Sequence, residues 1–278
     1  MPVLLVGARG QLGSDLMALK NEMFIPWTSD TINLLDLTTL EQKLSECSFE
    51  AIVNVAAYNK TEKAEEEQAL AYTINGHAVG VMSKMAQKRK VPFIHISTDF
   101  VFDGKKGSPY VETDLPAPLS VYGASKALGE AYALSQCEQS YVLRTASLYG
   151  KNGSREKKGH FVDAIRKKGE GTDPIKVVSD IFMSPTSTLS LSKAILAILR
   201  DRPEPGLYHA VNGGEASWHQ LALAIGEKYG FKYRIEPVSQ KDFPSKIRRP
   251  LYSALSNEKI DKIVSLPSWE EALYEYLI

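Results

Sequence analysis

The chain has 278 residues, 44% hydrophobic and 24% charged, enough for one large domain or two unequal ones. Its 33 Lys+Arg balance 33 Asp+Glu, so no whole-protein charge attracts nucleic acid or an anionic membrane. No stretch approaches the roughly 20 apolar residues of a spanning helix, Val3–Val6 is too short for a signal segment, and the two cysteines, Cys47 and Cys137, have no metal or redox-motif spacing. The expectation is a cytoplasmic protein with reduced thiols and neither nucleic-acid nor membrane partners.

In chain order, Val3–Val6 reads as a buried strand, 12–21 as a helix, Phe24–Trp27 as a strand and 40–47 as a helix. A third strand over 51–56 precedes a long helical stretch at 64–89, where Val79, Met82, Met85 and Ala86 recur at helical spacing. A fourth strand spans 93–97, a helix 125–136 and a fifth strand 141–145. Continuous apolar strands alternating with helices mean βαβ units, hence an α/β fold whose parallel sheet is covered on both faces. Residues 1–150 therefore form a doubly wound dinucleotide-binding domain, to which 174–200 return, with strand Ile175–Val178 and a helix over 190–199. Residues 151–173 and 201–278, with a strand at 207–211 and a helix from Trp218, belong mainly to a smaller α/β lobe.

Gly7-Ala8-Arg9-Gly10-Gln11-Leu12-Gly13 joins the first strand to the first helix with G-x-x-G-x-x-G spacing. Glycines there allow a tight turn, close approach of backbone to a pyrophosphate, and close helix–strand packing, with the phosphate on the helix N-terminus. After the second strand, Asp30 suits a free ribose 2′-hydroxyl, while Arg9 suits a 2′-phosphate. The balance leans to NADP(H), with NAD(H) left open. Asp36 and Leu37 are placed at the adenine, and the small residues after Asn54 (Ala56, Ala57, then Tyr58) beside the cofactor.

Tyr122 and Lys126 form Y-x-x-x-K, which on a helix puts both side chains on one face. A lysine charge beside the phenol is expected to lower its pKa and poise it to give a proton to a carbonyl oxygen. Ser97-Thr98-Asp99 closes the fourth strand, where ligands bind in parallel sheets. Thr98 is the first choice for a hydroxyl bonding the substrate oxygen and Ser97 the second. The five histidines show no ligand spacing, and His95 reads as a hydrogen-bonded core residue. Arg248-Arg249 is a local basic pair suited to a diphosphate.

Together these residues resemble the extended short-chain dehydrogenase/reductases, and within them the dTDP-4-dehydrorhamnose reductases. The resemblance runs through most of the chain: Gln11 and Gly13, Ala56-Ala57-Tyr58, Asn75, Ser97-Thr98-Asp99, Val121 to Lys126, Arg144-Thr145, Ser184-Pro185-Thr186, Trp218, and Arg249-Pro250 before Ser253. It implies a Rossmann-type domain with a small sugar-nucleotide lobe, and NAD(P)H-dependent reduction of the C4 ketone of a dTDP-4-keto-6-deoxyhexose for surface polysaccharide. On this pattern Tyr122 is the proton donor, Lys126 its electrostatic and ribose partner, Thr98 the hydroxyl on the substrate oxygen and Asp99 a substrate contact. Asn75 and Ser97 join the cofactor set, and Phe100, Ser147 and Arg249 the substrate set. Some members bind magnesium through an acid matching Asp15; one carboxylate on a first helix carries no such expectation, so no metal is assigned.

The departures fall on the substrate side. Phe100 replaces the usual tyrosine and Ser147 the usual tryptophan, and residues 154–158 form a charged insert. They keep open a different nucleotide sugar, and, from another class, a non-catalytic nucleotide-binding subunit. A homodimer is also left open.

Overall fold

The computed structural model describes every residue except 1, 152–159, 172, 233, 244 and 246. The charged insert thus lies outside the described residues. Strands β1 (Val3–Val6), β2 (Phe24–Trp27), β3 (Ala51–Asn54), β4 (Phe93–Thr98) and β5 (Ser140–Thr145) alternate with helices α1 (Gln11–Lys20), α2 (Leu37–Glu46), α3 (Gln68–Tyr72), α4 (Ala78–Arg89) and α5 (Val121–Gln136). Then follow β6 (Leu148–Tyr149), α6 (Phe161–Gly169), β7 (Ile175–Val178), β8 (Phe182–Met183), β9 (Thr186–Ser187), α7 (Thr188–Asp201), β10 (Gly206–His209), β11 (Ala216–Ser217), α8 (Trp218–Tyr229), β12 (Ile235–Val238) and α9 (Trp269–Tyr276).

The main sheet has six parallel strands in the order β10-β5-β4-β3-β1-β2. Strand residues alternate between its faces. Val3 and Leu5 enter one core with Leu16 of α1 and Leu191, Ile195 and Ile198 of α7. Leu4 and Val6 enter the other with Leu40 and Leu44 of α2 and Val79 and Met82 of α4. This is the doubly wound Rossmann-type sheet, and both faces are closed by helices. A third core, including Tyr149, Ile165, Val177, Leu221, Ile225 and Leu273, holds the small lobe around the β7–β12 pair.

Three expectations need correction. Strand Gly206–His209, assigned to the small lobe, is the edge strand of the main sheet; its backbone completes the β5 ladder, and Tyr208 packs in the α1–α7 core. Strand Ile175–Val178, assigned to the Rossmann domain, pairs instead with β12. The helical stretch at 64–89 is interrupted by a five-residue π turn, Thr73–His77, between α3 and α4. Such turns bulge backbone and side chains out of helical register, and this one carries Asn75. Among the described residues no helix is long and apolar enough to cross a membrane.

Candidate active site

The glycine loop forms a cradle at the end of β1. Gly7 has φ +94, the left-handed region open to glycine, and a Cβ there would lie 2.7 Å from the Ala56 amide nitrogen. A Cβ on Gly13 would overlap the Gly7 carbonyl oxygen. The three segments therefore touch backbone to backbone. Helix α1 starts after Gly10 with no side-chain cap, which leaves its first N–H groups open to an anion. The Gln11 side-chain nitrogen beside them is buried without a hydrogen-bond partner. Leu12 turns its side chain into the core, so only its backbone faces the loop. An open helix terminus, a cradle that any Cβ would fill and an unpartnered amide fit a dinucleotide pyrophosphate.

Arg9 and Asp30, read as rivals for the two ribose types, are ion-paired to each other at the surface. Asp36 caps α2, accepting the Thr39 amide at 3.0 Å and the Thr39 hydroxyl at 2.7 Å; those bonds hold its pKa below the ordinary carboxylate value. Leu37 packs on the core beneath it. Ala56 lies against the glycine loop and Ala57 is exposed beside it.

Asn75, expected on the cofactor wall, is fully buried behind it. Its Oδ1 accepts the Tyr58 N–H at 2.8 Å, and its Nδ2 donates to the Tyr58 carbonyl and the Ser125 hydroxyl, both at 3.0 Å. With its amide donors engaged, Asn75 clamps the loop after β3 to α5. The π turn is what aims it inward.

Ser120 caps α5 by accepting the Gly123 amide at 3.2 Å, and so starts the helix early enough to carry both Tyr122 and Lys126. A Cβ on Gly123 would overlap the Phe100 carbonyl oxygen, so this glycine lets the helix dock on the turn after β4. There the two hydroxyl candidates separate. Ser97 donates to Glu130 at 2.5 Å, and Glu130 holds Arg144 bidentately at 2.9 and 2.7 Å in a buried ion pair. Thr98 donates to Asp99 at 3.0 Å and lies near enough to Tyr122 to act on its phenol. Thr98, not Ser97, thus shares the site with the tyrosine. Asp99 accepts the Ser253 hydroxyl at 2.6 Å, a contact from the C-terminal segment. Phe100 packs edge-on to Tyr122, ring centroids 5.7 Å apart at 76°.

The expected pKa coupling of Tyr122 and Lys126 is reversed. Burial pushes the Tyr122 phenol up to about 12, with the nearby Thr98 hydroxyl opposing and the Asp99 charge adding. Burial pulls Lys126 down to about 8 against the charge of Glu130. Its Nζ donates to the Ile96 carbonyl at 2.6 Å and lies 3.4 Å from His95 Nε2. Desolvation is the largest cause of both shifts.

The remaining candidate residues have other settings. Ser147 has φ +44, a left-handed conformation between β5 and β6. Arg249 reaches Glu62 at 3.4 Å, tying the C-terminal segment to the loop after β3. Asp15 accepts the Thr188 hydroxyl. The sequence marked Gly123 and Ser253 only as landmarks of the resemblance and gave neither a role. The signal for Gly123 was its place inside Y-x-x-x-K. Ser253 had none beyond its spacing from Arg249-Pro250.

The family model described as RmlD substrate binding domain matches residues 1–278. The chain belongs to this family. The spore coat polysaccharide biosynthesis protein SpsK of Bacillus subtilis is 36% identical over 279 residues, covering 99% of this chain and 96% of that protein. A dTDP-4-dehydrorhamnose reductase of Burkholderia thailandensis is 32% identical, covering 98% and 97%. Among solved structures, a dTDP-4-dehydrorhamnose reductase from Bacillus anthracis in complex with NADP superposes with a TM-score of 0.92 at 32% identity, covering 99% of this chain and 98% of that one. UDP-glucose 4-epimerase from Thermus thermophilus shares the fold alone, with a TM-score of 0.81 at 18% identity.

Proposed function

We propose that this family member is an NADPH-dependent reductase of the C4 ketone of dTDP-4-dehydro-L-rhamnose, forming dTDP-L-rhamnose in the cytoplasm for surface polysaccharide. The observation that carries the reading is the convergence of Thr98, at the end of β4, with Tyr122 and Lys126, which share one helix whose first turn docks on the turn after β4. The glycine cradle, the α1 N-terminus and Gln11 would hold the cofactor pyrophosphate, with Arg9 reaching the 2′-phosphate once freed from Asp30. Bound NADPH supplies the hydride.

The chain's own residues supply the rest. Thr98 orients the ketone oxygen beside Tyr122. With a pKa pushed up to about 12, the phenol carries its proton at neutral pH and gives it to the oxygen as negative charge develops there. Lys126, as ammonium, stabilises the phenolate left behind. Phe100 forms an apolar wall beside the phenol. The similarity to a polysaccharide biosynthesis protein and to dTDP-4-dehydrorhamnose reductases supports a nucleotide-sugar substrate.

The test is purified protein with NADPH or NADH and a panel of nucleotide-linked 4-keto sugars, followed at the reduced nicotinamide absorbance. Turnover best with NADPH and dTDP-4-dehydro-L-rhamnose supports the reading; no turnover with any member overturns it. Phe100 favours a second reading, a different nucleotide-linked keto sugar, because it removes a hydroxyl at the substrate wall. Turnover of another panel member alone would select it.

A further inference from the structure

Behind Lys126 lies a buried chain of polar groups that the proposed reaction does not use. Asn54 of β3 and His95 of β4 are register partners in adjacent strands, and both are fully buried. Asn54 Oδ1 accepts the Ala56 N–H at 3.2 Å, which turns the Nδ2 side of the amide toward His95 Nδ1 at 3.1 Å. An amide nitrogen only donates, so Nδ1 must be the bare nitrogen, and the neutral ring carries its proton on Nε2. That N–H faces Lys126 Nζ at 3.4 Å. A Cβ on Gly129 would lie 3.1 Å from the same nitrogen, so the glycine makes room on α5 for the ring.

An ammonium offers only hydrogens to an N–H, whereas a neutral amine offers a lone pair and still donates to Ile96. The chain then has one polarity throughout: Ala56 N–H to Asn54, Asn54 N–H to His95, His95 N–H to Lys126, and Lys126 N–H to the Ile96 carbonyl. We propose that Asn54 and His95 are positioning residues that lock this tautomer, favour the neutral amine of Lys126 and so bring its change of charge within reach of neutral pH.

The surrounding groups agree. Burial, and then the Lys126 charge, hold His95 well below the ordinary histidine value, so the ring stays neutral. Burial itself pulls Lys126 down to about 8. On α5, Glu130 opposes this, its charge shared with Arg144 of β5, while Tyr122 lies on the other side with Asp99 beyond β4. From β3 the only polar side chain in the chain of bonds is Asn54.

The consequence rests on the reading of Lys126 as the partner of Tyr122. Once Tyr122 has given up its proton, the ammonium form of a lysine that titrates close to neutral pH can both stabilise the phenolate and return a proton to it. The lysine N–H bond breaks and the phenol O–H forms. The amine produced accepts the His95 N–H until solvent recharges it.

The test reads His95 and Lys126 directly by nitrogen NMR of histidine- and lysine-labelled protein, Lys126 being assigned by loss of its signal in Lys126→Arg. The expected result is a His95 ring protonated on Nε2 and bare on Nδ1, and a Lys126 midpoint well below the usual lysine value. Asn54→Asp, whose carboxylate accepts from Nδ1, should flip the tautomer and raise the midpoint by about 1 unit or more. Uncharged Asn54→Leu should raise it less, and the pH profile of kcat/KM should move with the midpoint in each. A wild-type ring protonated on Nδ1, a midpoint unmoved in both variants, or a rise in Asn54→Asp without a change of tautomer would overturn the proposal. The wild-type tautomer needs neither a variant nor turnover. An inactive protein with the Nε2 tautomer would sink the proposed function and leave this inference standing.

Discussion

The Rossmann half and the small lobe place functional residues by different means. In the first, continuous buried strands such as β1 and β4 feed two cores, and site residues are held by contacts that only glycine admits, at Gly7, Gly13 and Gly123. In the second, β8, β9 and β11 are two residues long, and half-buried β12 pairs with β7 alone. Among the described residues, this lobe touches the candidate site through the Ser253 hydroxyl on Asp99. The difference separates chemistry from choice of substrate. The proposed proton-transfer residues sit on rigid elements that tolerate little change. Phe100 and Ser147, the proposed substrate-side positions, lie on a turn and a loop, which can vary more readily than core strands.

The largest expected effect tests the rigid half. Tyr122→Phe should lower kcat/KM by about 10²–10⁴-fold while leaving NADPH affinity near wild type, as measured by steady-state rates and by fluorescence titration. Full rate in the variant would remove the proton-donor role. Next, Gly13→Val should cost ~1–3 kcal/mol in denaturant unfolding and weaken NADPH binding, because its Cβ overlaps the Gly7 carbonyl. A wild-type midpoint would show that the cradle is looser than its contacts imply.

The contact between the halves should show a pH signature. Burial raises Asp99 from 3.8 to about 6 against its hydrogen bonds. The folded state therefore holds that proton more tightly than the unfolded chain does. Its contribution favours folding below pH 3.8 and is lost as pH rises through about 6. Asp99→Asn should accordingly be more stable than wild type at neutral pH, by on the order of 1 kcal/mol, with the gap closing toward acid. A gap that stays constant with pH would contradict the buried charge.

The smallest effect concerns the cofactor rim. Asp30→Ala frees Arg9 from an exposed ion pair, and should improve NADPH over NADH by ~2–5-fold in kcat/KM. An unchanged ratio would exclude Arg9 from 2′-phosphate recognition.

The Rossmann half was the more legible in sequence for the same physical reason. Apolar strands such as Val3–Val6, the glycine spacing and the i,i+4 pair Tyr122 and Lys126 are local patterns whose geometry follows from neighbouring residues. What eluded sequence depends on distant partners. Strand Gly206–His209 carries no mark that its ladder lies with β5, and Ile175–Val178 none that it pairs with β12. Asn75 read as a cofactor contact because nothing local reveals a π turn that rotates it inward. The Tyr122 pKa was misjudged because spacing shows a neighbouring charge but not the desolvation that outweighs it.

The central claim, hydride delivery to C4 with Tyr122 supplying the proton, is tested most directly with NADPH deuterated at the nicotinamide C4 and dTDP-4-dehydro-L-rhamnose. The account predicts deuterium at C4 of the product hexose, seen by NMR, formed by wild type and nearly lost in Tyr122→Phe. Consumption of NADPH without deuterium at C4, or equal labelling by both proteins, would contradict it.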